Sequence, residues 1–138
     1  MGEETRPRAI DIGLADRKLD GWMNDATGEL ARGVHVAATD TVVDVGCGDG
    51  ALIHFCARQG AEVYFIDRDE ARLASTRRKV EASPARAHCG ILSDCDPIPL
   101  DDALCDLVIC TEVLEHVPDP GKFLRELIRV GKPGGKLL

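Results

Sequence analysis

Apolar positions along this 138-residue chain follow two rhythms. Short apolar runs, Val42-Val43-Val45 and Leu107-Val108-Ile109, read as strands buried on both faces, as in a parallel sheet. A similar run, Glu62 to Ile66, ends in Asp67. Between the runs the spacing turns helical: Leu52, Ile53, Phe55 and Cys56 within Ala51 to Gln59; Ala71, Leu73, Ala74 and Val80 within Asp69 to Ala82; Phe123, Leu124, Leu127 and Ile128 within Pro118 to Val130. Gly60, Pro84, Gly131 and Pro133 supply stops, and Pro120 falls near a first turn. A weaker strand is expected near Ala85 to Cys89 and one helical turn over Val113 to His116. Gly90 to Asp102, rich in Asp and Pro, reads as a loop over the carboxyl edge of the sheet. Lys132 to Gly135 reads as a turn, and Lys136 to Leu138 as the beginning of a fifth strand.

Ahead of the first run, residues 1–13 are polar and irregular, and a mobile arm is expected there. Residues 14–40 are expected to hold N-terminal helices, because Leu14, Leu19, Trp22, Met23, Ala26 and Leu30 recur at roughly helical spacing, although Gly21 and Gly28 work against it. Trp22 is expected to anchor the core. Residues 41–138 alternate strand and helix with short connections. That order predicts an α/β fold with a doubly wound, mostly parallel sheet.

Charge and composition then narrow the function classes. A net charge of -7 leaves little room for a broad nucleic-acid or anionic-membrane surface, which needs a basic face. The basic cluster Arg72, Arg77, Arg78 and Lys79 sits on an expected helix and reads as a solvated face. Six cysteines show neither a C-x-x-C pair nor zinc spacing, so reduced thiols and a cytoplasmic location are expected. No apolar run approaches the roughly 18 residues of a membrane span.

Candidate chemistry concentrates in VVDVGCGDG, Val42 to Gly50. Glycines at alternate positions, Gly46, Gly48 and Gly50, suit a tight turn that a ligand approaches closely, at the start of a helix. The run Gly46 to Ala51 fits both GxGxG and the dinucleotide fingerprint GxGxxA. Asp67, 21 residues past Gly46, is the acid either pattern expects for ribose hydroxyls. The turn alone leaves two cofactor classes open.

Five segments in order, VVDVGCGDG, VYFIDRDE, SDCDPIPL, CDLVICTEVLEHVPDP and RVGKPGGKLL, resemble the Rossmann-like S-adenosylmethionine-dependent methyltransferases, from Thr41 to Leu138. EVLEHVPDP and KPGG look most like the ubiquinone-biosynthesis type of small-molecule O-methyltransferase. The resemblance implies S-adenosylmethionine as cofactor, S-adenosylhomocysteine as product and a small-molecule methyl acceptor. It implies that Asp44 and Gly46, Cys47, Gly48 and Gly50 shape the pocket under the methionine part, with Asp44 orienting its ammonium group. It assigns Asp67 to the ribose, Arg68 to the adenine flank, Asp94 to the adenine amino group and the Cys95 amide to a ring nitrogen. Thr111 and Glu112 would line the floor near the sulfonium, and His116 would face the substrate as candidate general base. Glu112, Glu115 and His116 offer two ligands on one turn but not a full metal shell, so no metal site is expected.

The family pattern continues beyond a completed fifth strand, so the sequence is expected to lack the last strands of the sheet. The strand edge near Lys136 to Leu138 would then be a template for homo-oligomerisation. Two other functions stay in view: a nicotinamide-dependent oxidoreductase, and a truncated non-catalytic binding module.

Overall fold

The computed structural model describes residues 22–111 and 113–138. The described chain enters through a two-stranded antiparallel ribbon, β1 (Glu29–Ala31) and β2 (Val34–His35). Here the structure corrects the sequence reading, because residues 22–35 form a turn and this ribbon, not a helix. The cause is local: the Asn24 carboxamide oxygen accepts from the amides of Ala26 and Thr27, and Gly28 and Gly33 both sit at φ 79°. An Asx-type turn and two left-handed glycines outweigh a loose helical spacing. The rest of the expected arm and helices, residues 1–21, lies outside the described residues. Trp22 packs against the core as expected.

Five parallel strands follow: β3 (Thr41–Val45), β4 (Glu62–Asp67), β5 (Ala87–Leu92), β6 (Cys105–Ile109) and β7 (Gly131–Leu137). Their spatial order is β5-β4-β3-β6-β7. Helices α1 (Ala51–Arg58) and α2 (Glu70–Glu81) join the strands on one side of β3, a 3-10 turn covers Leu114–His116, and α3 (Pro120–Val130) leads into β7. The central strand is apolar on both faces because both faces are covered: Val42 joins the cluster with Ile53, Phe55, Leu73 and Val80 from α1 and α2, while Val43 and Val45 join Phe123, Leu127 and Val130 from α3. This is the expected doubly wound sheet, and its direction of travel reverses between β3 and β6. A crevice at the carboxyl ends of the strands belongs at such a switch point.

Two helix faces differ from the expected ones. In α2 the buried stripe is Leu73, Thr76 and Val80, with Ala71 exposed, so a threonine holds a core position. In α3 the buried stripe is Phe123, Leu127 and Val130, and Leu124 and Ile128 remain 40% and 63% exposed. The periodicity was compatible with a wider face than the sheet covers. The last strand also departs from expectation. Gly131–Leu137 starts earlier than expected and pairs with β6 at Gly131, Lys136 and Leu137, while Lys132 to Gly135, the expected turn, form an irregularity between those paired positions. Gly134 takes φ 80°, and a Cβ on Gly135 would stand 3.0 Å from the Asp106 carbonyl oxygen. Among the described residues no helix is long and apolar enough to cross a membrane.

Candidate cofactor and substrate cleft

The reversal point carries a cleft of about 730 Å³ at the carboxyl ends of β3, β4 and β6. Its size is in the range of small-molecule sites. Its floor is the turn after β3. Gly46 and Cys47 both donate their amides to the Ile66 carbonyl, at 2.8 and 2.9 Å, and the Gly50 amide closes the turn on the Cys47 carbonyl at 2.9 Å. Gly46, Gly48 and Gly50 all have positive φ, as the spacing predicted. Gly48 lines the cleft with no atom within 4 Å of where a Cβ would stand. Gly50 does not line it; it faces α2, where a Cβ would come 2.6 Å from Thr76 Oγ1.

Asp44 and Asp67 enter the cleft from the ends of neighbouring strands and are 2% and 7% exposed. Asp67 Oδ2 accepts from the Gly48 amide at 3.0 Å and Oδ1 from the Asp69 amide at 2.8 Å. An ionised carboxylate offers about four acceptor directions, so Asp67 keeps capacity for a vicinal diol. Asp69 in turn caps α2 through the amides of Ala71 and Arg72. The cap of α2 is therefore Asp69 and not Asp67.

Arg68, Asp94, Cys95, Thr111 and His116 also line the cleft. Asp94 is exposed and accepts from the Asp96 amide at 3.1 Å, a local turn bond. Cys95 takes φ 62°, and its amide donates to Ser93 Oγ at 2.9 Å, not into open space. The backbone amide of His116 bonds the Val113 carbonyl, and its exposed side chain borders the cleft. Glu112 lies outside the described residues.

Burial pushes the Cys47 thiol up to about 12 and the Cys95 thiol to about 11, with Asp67 adding to both. Both stay protonated near neutrality and neither is a nucleophile there. Among the described residues, no three potential metal ligands converge.

Other lining residues were not assigned to the site from the sequence. Arg72 and Ser75 come from α2; Val113, Val117 and Phe123 form an apolar end beside His116. Behind the turn, Thr76 Oγ1 donates to the Gly48 carbonyl at 3.3 Å and Lys79 Nζ to the Asp49 carbonyl at 2.6 Å. The supposed solvated basic face thus gives two backbone contacts, since Arg77 also reaches the Gly90 carbonyl at 3.5 Å. A polar residue within the apolar stripe of α2 was the available signal for Thr76.

Residues 43–138 match the family described as "Methyltransferase domain". A ubiquinone biosynthesis O-methyltransferase of Pseudomonas paraeruginosa is 41% identical over 103 residues, covering 72% of this chain and 43% of that protein. One from Alkalilimnicola ehrlichii is 38% identical over 102 residues, covering 70% and 39%. The chain spans about two-fifths of the length of these relatives. A SAM-dependent methyltransferase from Aquifex aeolicus superposes with a TM-score of 0.61 at 30% identity, covering 71% of this chain and 53% of that one. A SAM-dependent methyltransferase from Thiobacillus denitrificans, solved with S-adenosyl-L-homocysteine, shares the fold with a TM-score of 0.62 at 22% identity, over 72% and 41% of the two chains. Since the family match spans most of its length, the chain belongs to the methyltransferase-domain family.

Proposed function

We propose that this chain is the cofactor-binding part of an S-adenosylmethionine-dependent methyltransferase that works in the cytoplasm and methylates a small molecule, on oxygen. The observation that carries the choice of cofactor is the charge of the cleft. Four aspartates line it, Asp44, Asp49, Asp67 and Asp94, against two arginines, Arg68 and Arg72, and two of the aspartates hold the amides that a phosphate would want: Asp67 takes Gly48 N–H and Asp49 Oδ1 takes Ala51 N–H at 3.0 Å. A dinucleotide needs those donors for its pyrophosphate. Carboxylates in their place oppose a nicotinamide dinucleotide and favour a ligand with cationic ends.

The residues fit such a ligand. Asp67 would accept from ribose hydroxyls, Asp44 would orient the ammonium group, and the open face of Gly48 would admit the methionine part. Arg68, Asp94 and the loop around Cys95 would border the adenine. Thr111 would lie near the sulfur. When bound, S-adenosylmethionine supplies a methyl group that is activated by its attachment to a sulfonium. The chain's own work is to hold an acceptor in line with that methyl and to keep water away, for which Val113, Val117 and Phe123 provide an apolar wall. His116 would take the proton from an acceptor hydroxyl. The oxygen acceptor is supported by the O-methyltransferase relatives.

Thermal unfolding with added ligands tests the reading. S-adenosylhomocysteine at a hundredfold its Kd should stabilise the protein by about 2.7 kcal/mol, and NAD should not stabilise it. Stabilisation by NAD alone would overturn the proposal.

A further inference from the structure

We propose that Thr76 and Lys79 of α2 are positioning residues for the glycine turn, setting cofactor affinity from behind without touching the cleft. The inference rests on the function proposed above. Three glycines with positive φ make Gly46 to Gly50 a segment that side-chain packing holds poorly, and Gly48 has nothing around its missing Cβ. Its shape is therefore set by hydrogen bonds. The amide side of Gly48 is held by Asp67, a cleft carboxylate, and the carbonyl side by Thr76 Oγ1. The next carbonyl, of Asp49, is held by Lys79 Nζ.

Thr76 is fully buried, so its hydroxyl depends on protein partners. Cys47 Sγ lies 3.7 Å from Thr76 Oγ1 and donates to it, because the buried thiol keeps its proton. The hydroxyl then has one proton, and the Gly48 carbonyl receives it. This chain, Cys47 to Thr76 to Gly48, ties two adjacent residues of the turn to one side chain. Gly48 is also bonded to Asp67, so loosening its carbonyl side would shift the acceptor proposed for the ribose. Thr76 and Lys79, three positions apart, face the same turn, as one helix face requires.

The test compares Thr76→Ser, Thr76→Val and Lys79→Met with Val80→Ala, a buried α2 position away from the turn. Two quantities are read: the Kd for S-adenosylhomocysteine by calorimetry well below every melting midpoint, and amide exchange across residues 46–51 in ligand-free protein. We expect Thr76→Ser to bind within about twofold of the parent, and Thr76→Val and Lys79→Met to bind about tenfold and about threefold more weakly. Thr76→Val and Lys79→Met should also speed exchange across the turn. Val80→Ala should lower the melting midpoint and leave both readouts unchanged. Parental Kd and exchange in Thr76→Val and Lys79→Met would overturn the inference, as would affinity that simply follows stability through Val80→Ala. If Thr76→Val does not fold, Lys79→Met decides, its side chain being exposed. Absence of binding in the parent would overturn the functional reading instead, and exchange in ligand-free protein would still judge the turn.

Discussion

At the turn after β3, three glycines share a left-handed backbone and differ in why no Cβ is present. At Gly46 a Cβ would run into Val113 Cγ2, so the constraint is packing beside the cleft. At Gly50, with φ 82°, it would meet Thr76 Oγ1 at 2.6 Å and Thr76 Cγ2 at 2.8 Å, so the constraint is the approach of α2. At Gly48, with φ 57° and open space, only the backbone conformation and the ligand volume count. Alanine at the three sites should separate these effects. Gly48→Ala should cost about 1 to 2 kcal/mol for the left-handed backbone, and its methyl group should weaken S-adenosylhomocysteine binding. Gly50→Ala should cost about 3 kcal/mol, since overpacking against a fully buried threonine adds to the same backbone penalty. Urea denaturation measures both, and equal losses at the two positions would contradict the distinction. The spacing of the glycines was legible in the sequence, but their separate constraints were not. They depend on Val113 and Thr76, which lie 67 and 26 residues away in the chain.

Elements were legible where one residue class dominated. The buried strands and the three helices follow from apolar runs, helical spacing and Gly or Pro stops. The misread places share a cause: a short local hydrogen-bond pattern or a neighbour's shape decided the outcome, as in the Asn24 turn, the Thr76 stripe and the exposed side of α3. The loop before β6 shows what such a neighbour can do. Arg129 on α3 donates to the carbonyls of Ile98 and Leu100, each at 2.8 Å, and to Asp102 at 2.7 Å. Glu126 braces Arg129 at 2.8 Å and accepts from the Ile98 amide at 3.0 Å. Lys122 reaches Asp96 at 3.1 Å, so α3 holds the segment that follows Asp94 and Cys95 at several points. The Arg129 hydrogen bond holds the Glu126 carboxyl below its ordinary 4.5, against burial, which acts to raise it. A depressed folded pKa means that the unfolded chain takes up the proton first. The stabilisation is therefore complete above about 4.5 and is lost as the pH falls through the lower folded value. Glu126→Gln should be less stable than the parent by about 1 to 2 kcal/mol near neutrality, and the difference should shrink as the pH drops below that point. Denaturation at several acid pH values checks it. A gap that stays constant with pH would show that the charge of Glu126 is not what the loop uses.

For the molecule as a whole, the location of the cleft was legible, since the glycine turn after one apolar run, Asp67 at the end of another and the family motifs put it at the carboxyl ends of the strands. Its apolar end was not, because Val113 and Val117 reach it from either side of the 3-10 turn and Phe123 from α3, all packed in one cluster with Val43, Val45 and Val108 of the sheet. The same packing leaves one border of the fold with a distinctive character. Among the described residues β7 pairs only with β6, and its other edge is unmatched. Pro133 is compatible with an edge strand. Lysines often guard such edges by projecting charge, but Lys132 is drawn to Asp106 at 3.1 Å and Lys136 to the Gly33 carbonyl at 3.1 Å. Nearby, Leu124, Ile128 and Leu137 are 40%, 63% and 47% exposed. An unmatched backbone edge next to apolar side chains suits strand-to-strand pairing with a second copy. The 138-residue chain should therefore self-associate as its concentration rises, and Ile128→Glu, which sets a charge beside that edge without entering the cleft, should shift it towards monomer. Sedimentation equilibrium on the two proteins measures the difference. A parent chain that stays monomeric at its solubility limit, or a variant that associates equally well, would remove β7 as the contact and leave the exposed face of α3 without a role in assembly.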